Sequence, residues 1–122
     1  MVGKQVNKDM NKLILIVVLA LVSSGVGADW AVKGEGNFNC PEYLSAKRSN
    51  TAKLYSSASW VQGFITGVNY QRAQDSGSSS LIAQDLPAAS IVRWLENHCQ
   101  ENLQDDLADA AAALVKEFSE RE

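Results

Sequence analysis

The sequence predicts an all-α domain, a small disulfide-stapled bundle of about four helices after a cleavable signal peptide. Three observations predict it. Beyond residue 40, apolar residues recur at three- and four-residue spacing, the period of a helix with one buried face. No alternating apolar and polar stretch of useful strand length appears. The chain has two cysteines, Cys40 and Cys99, and both follow an export-like leader.

The leader is read from its three parts. Lys4, Lys8 and Lys12 make a basic start, and Leu13 to Val22 is an unbroken run of ten apolar residues. The small residues Ser23 to Ala28 follow, with Val26 at −3 and Ala28 at −1 of a cleavage site. A membrane span needs about 20 apolar residues, so cleavage after Ala28 is favoured over a retained anchor. No cysteine stands at the cleavage point to carry a lipid. The expected organisation is residues 1–28 as signal peptide, 29–39 as an extended lead-in and 40–122 as one helical domain. Export places the thiols in an oxidising compartment, where a Cys40–Cys99 bridge is favoured over two buried free thiols.

Three lysines and one aspartate lie in the leader, so the chain's 11 basic and 14 acidic residues become 8 and 13, a net charge of −5. No basic stripe remains to neutralise phosphates, which argues against nucleic acid as a partner. The acidic residues gather towards the C-terminus, where a solvated helix face is the plain reading and a docking surface for a basic partner the sharper one.

The elements follow in order. Pro41 suits the first turn of a short helix running to about Arg48, with Cys40, Tyr43 and Leu44 on one face. A second helix, about Thr51 to Ala73, carries Tyr55, Trp60, Val61, Phe64, Ile65 and Val68 at helical spacing. Gly63 and Gly67 stand four apart within it. Each costs about 1 kcal/mol relative to alanine, so Trp60, Gly63, Phe64 and Gly67 are expected to form a face approached closely by another helix or chain. Gln74, Asp75, Ser76, Gly77, Ser78, Ser79 and Ser80 lack an apolar anchor and read as a loop, a candidate partner-binding segment as well as an ordinary connector. Asp85 is expected to cap a third helix with Pro87 in its first turn, turning Ile91, Trp94, Leu95 and Cys99 inward. Asn102 is expected to cap a fourth, with Asp105 and Asp106 in its first turn and Leu107, Ala111, Leu114, Val115 and Phe118 buried.

Chemistry is sparse in this pattern. His98 is the single histidine and sits beside a cysteine at a helix end, where a structural role is expected. There is no cluster at metal-ligand spacing and no phosphate-cradling glycine loop. A serine triad would need His98 as its base. The expectation is therefore a binding protein without cofactor or metal, and not an enzyme.

Four stretches carry a family resemblance. Phe38-Asn39-Cys40-Pro41-Glu42-Tyr43-Leu44 resembles the opening of HdeA-like periplasmic proteins. Ser59 to Gly67 and Trp94 to Asn102, followed by Leu107 to Ala110, resemble the Trp-Val-Gln-Gly helix and the Trp-Leu-x-x-x-Cys segment of Tai-type immunity proteins. Leu103 departs from the proline that this group often has after asparagine. The resemblance implies a periplasmic, disulfide-bonded, often dimeric helical domain. In the Tai-type branch it would bind and block a peptidoglycan amidase delivered by type VI secretion; in the HdeA-like branch it would be an acid-activated chaperone. The closer match through helices two to four favours the first.

Overall fold

The computed structural model describes residues 30–77 and 81–121. The signal peptide and Ser78 to Ser80 therefore lie outside the described residues. The chain divides into Met1–Ala31 and Val32–Glu122, and every element below belongs to the second unit.

Four α-helices form that unit: α1 (Cys40–Ser49), α2 (Thr51–Ser76), α3 (Ala88–Glu101) and α4 (Leu107–Glu120). Asn39 caps α1 by accepting the Glu42 backbone N–H at 2.9 Å, and Pro41 stands in the first turn. Asn50 both ends α1 and starts α2, its side chain accepting the Lys53 N–H at 3.1 Å. At 26 residues, α2 is the longest element, about 39 Å.

Helix boundaries depart from expectation at three places. The expected loop at Gln74 to Ser80 begins later, because α2 runs through Ser76 and stops at Gly77, whose φ of +60° suits glycine. Asp85 lies in a turn, and α3 starts after Pro87, with no side-chain cap. The proline ring disfavours a helical Leu86, so the helix cannot reach back to Asp85. Asn102 ends α3, donating from Nδ2 to the His98 carbonyl at 2.9 Å. The cap of α4 is Asp106, whose side chain accepts the Asp109 N–H at 2.9 Å, while Asp109 accepts in return from the Asp106 N–H.

The lead-in is also more than extended chain. Gly34–Asn37 forms one 3-10 turn, and the Trp60 indole N–H donates to the Lys33 carbonyl at 2.7 Å. Gly36 is buried flat against Trp60, and a Cβ there would fall 2.4 Å from the ring. Lys53 pairs with Glu35 at 2.7 Å and lies 4.3 Å from the centre of the Phe38 ring.

The core joins all four helices. Tyr43 of α1, Ala58, Val61 and Ile65 of α2, Ile91 and Leu95 of α3, and Leu107, Ala110, Ala111 and Leu114 of α4 are buried together. Tyr55, expected among the inward residues of α2, is 46% exposed. It sits on the opposite edge of the helix from Val61 at 100° per residue. The Cys40–Cys99 disulfide, buried at both ends, ties the start of α1 to the end of α3. Beside it, Cys40 N–H donates to Asp105 O at 2.9 Å and Leu107 N–H to Phe38 O at 3.0 Å, fastening the entry of α1 to that of α4.

Candidate partner-binding surface

The described residues on both sides of the connection from α2 to α3 are held by hydrogen bonds. On the α2 side, the Gly77 N–H bonds to the Ala73 carbonyl. On the other side, Asn69 clasps the backbone of Ile82: its Nδ2 donates to Ile82 O at 3.1 Å, and its Oδ1 accepts the Ile82 N–H at 2.8 Å. Ile82 is itself buried, and Ala83 next to it holds a φ of +52°. A left-handed alanine persists only where its surroundings over-determine it. Here the clasp and the buried Ile82 do so. Leu81, one residue before the clasp, is 42% exposed.

Under this turn lies a cleft of about 260 Å³, floored by Ile65, Leu86 and Ile91 and edged by the amides of Gln62, Asn69 and Gln84.

The expected binding residues divide between two structural contexts. Gln74, Asp75 and Ser76 form the last turn of α2, where Gln71 Nε2 donates to Asp75 Oδ1 at 2.9 Å and the Ser76 hydroxyl to the Arg72 carbonyl at 2.8 Å. Gly77 is the left-handed cap. The expected face of Trp60, Gly63, Phe64 and Gly67 also divides. Trp60 and Phe64 stack at 5.9 Å and pack against the core, whereas Gly63 and Gly67 are exposed with nothing within 4 Å of where a Cβ would stand. No helix of the described chain approaches the glycines, because the inward side of α2 is centred on Val61, opposite them.

His98 is a structural tie. Its Nε2 lies 2.8 Å from Asp105 Oδ2, and its ring stacks on Trp94 with centroids 5.0 Å apart. The Trp94 indole N–H in turn donates to Glu117 of α4. Tyr43 is the group whose acidity moves most: burial, with a smaller push from the Glu96 carboxylate, raises its phenol above the usual tyrosine value. Among the described residues, no three His, Cys, Asp or Glu side chains gather as they would around a metal ion.

Sequence reading missed the Asn69 clasp. Its sole local signal is an amide inside an apolar helical stretch, a position where asparagine is a weak helix former. No family model matches the chain, and neither a curated protein nor a solved structure matches it.

Proposed function

We propose that this protein is a periplasmic binding protein that blocks a peptidoglycan amidase effector, as the immunity proteins it resembles do. One observation carries this reading, the Asn69–Ile82 clasp. An inhibitor gains affinity when the segment it inserts into an enzyme is ordered before binding. The clasp fixes the backbone of Ile82, next to the exposed Leu81, on a scaffold closed by a disulfide. The partner is a protein, the leader is removed on export, and no cofactor takes part.

An acid-activated chaperone is the second reading. It is favoured by two ion pairs that tie separate elements, Lys47–Glu96 and Lys53–Glu35. Partly exposed pairs contribute about 0–1 kcal/mol each, and acid leaves the disulfide intact, so this reading ranks second.

Titrating a secreted peptidoglycan amidase with the exported protein at neutral pH tests the proposal. Hydrolysis falls to zero near one equivalent, and Leu81→Glu weakens inhibition by about tenfold or more. Unchanged inhibition by that variant removes the turn from the mechanism. Acid-dependent capture of unfolded clients, with no inhibition, transfers the protein to the second reading.

A further inference from the structure

A second cleft, between α3 and α4, shares no residue with the one under the Leu81 turn. Its volume is about 330 Å³, within the range of about 300–1,000 Å³ typical of ligand sites. Trp94, Asn97, His98 and Glu101 line one side, and Glu117 lines the other. The first four stand three or four apart in order, so they form one stripe along α3. Trp94 and His98 are its aromatic part, with rings stacked within 11° of parallel. Each ring is pinned: the Trp94 indole N–H donates to Glu117, and His98 Nε2 lies against Asp105 Oδ2. The carboxylates around the end of α3 have partners, with one exception. Glu96 pairs with Lys47, Asp105 with His98, and Glu117 with Arg121 at 2.6 Å. Glu101 is exposed in the same stripe and has no hydrogen bond or ion pair among the described residues. It is also the last residue of α3, where the helix dipole disfavours a negative charge. No contact within the fold compensates it.

We propose that this cleft receives an arginine side chain of a protein partner. Charge decides the sign of the occupant. Glu101, Glu117 and Asp105 stand in or beside the cleft against a single arginine, Arg121, so a cation is drawn in and an anion turned away. Shape then favours arginine over lysine. A planar guanidinium lies flat against an aromatic wall and can bond both oxygens of one carboxylate, whereas an ammonium is a compact, strongly hydrated point charge. Asn97 is exposed and its amide makes no hydrogen bond among the described residues, so its carbonyl oxygen is open to a further guanidinium N–H. Because both rings are already pinned, little ordering remains to oppose binding. An arginine within a chain also has no free α-carboxylate for Glu101 to repel, which separates a partner's side chain from the free amino acid. This inference does not rest on the amidase reading, since it uses neither Leu81 nor the Asn69 clasp.

An NMR titration of the exported protein at neutral pH with a tripeptide, Ala-Arg-Ala capped at both ends, tests it. The Trp94 indole N–H and the backbone N–H groups of Asn97 and Glu101 are expected to shift together and saturate, with a Kd of about 10 mM or below. The matching lysine peptide is expected to bind about threefold more weakly or worse. Glu101→Gln, an exposed change that leaves the helix content by circular dichroism intact, is expected to weaken the arginine peptide by about fivefold or more. Shifts that grow linearly up to about 50 mM peptide overturn the proposal. So does equal affinity in Glu101→Gln. Tighter binding of free arginine than of the capped peptide also overturns it, because the cleft would then hold an amino acid and not a partner's side chain.

Discussion

The Ser57 hydroxyl is fully buried and has no hydrogen-bond partner. Desolvating such a group costs about 1–3 kcal/mol, and alanine is also the better helix former. Ser57→Ala should therefore raise the unfolding free energy by about 1 kcal/mol, read by urea denaturation; a loss of stability would mean that the hydroxyl has a partner. Tyr43 behaves oppositely, because its hydroxyl donates to the Val92 carbonyl at 3.1 Å. Its proton is held more tightly in the fold than in the unfolded chain, where the ordinary value is 10.0. Stability is thus fully present below that value and falls as pH rises past it, where the unfolded chain releases the proton first. Tyr43→Phe should cost about 1 kcal/mol at neutral pH and flatten the alkaline loss. Denaturation of both proteins at about pH 8 and pH 11 checks this, and an equal alkaline loss would contradict it. Gly36→Ala should cost about 1–3 kcal/mol, since the Trp60 ring must move, with a shift in tryptophan emission.

Between elements, caps decide where helices begin. Asp106→Ala removes the reciprocal bonds with Asp109 and should destabilise by about 1 kcal/mol. Asp85→Ala, in an exposed turn, should stay within about 0.5 kcal/mol of the wild type. The reverse order of effects in thermal melts would restore Asp85 as the cap. The two misplaced helix starts share a physical cause. Asp85, Asn102, Asp105 and Asp106 are all good N-cap residues, and sequence alone does not say which one has its partner N–H in place. What selects Asp106 is the bridge to Asn39, a contact made far along the chain. Features set by local chemistry were legible: Pro41 in the first turn of α1, and the inward stripe of α2 through Val61 and Ile65. The polar end of α2 was not, because a helix already nucleated extends through Gln74 to Ser76 without apolar contacts until glycine stops it. The clasp was hidden for a similar reason, since Asn69 and Ile82 meet only once the turn has folded back.

For the molecule as a whole, the disulfide is the largest single constraint. Closing a chain separation of 59 residues should stabilise by about 4 kcal/mol on the loop-entropy account, more than the Lys47–Glu96 and Lys53–Glu35 ion pairs together. Replacing Cys40 and Cys99 with alanine should lower the unfolding free energy by about that amount, and a loss under about 1 kcal/mol would shift the stability to the core alone. All four helices and the bridge could be anticipated from periodicity and two cysteines. Which exposed residues share a face depends on how the helices pack, and that became visible only in three dimensions. Amidase activity measured against increasing exported protein tests the central claim most directly. The account predicts complete, stoichiometric inhibition at neutral pH, and undiminished hydrolysis with the protein in excess would contradict it.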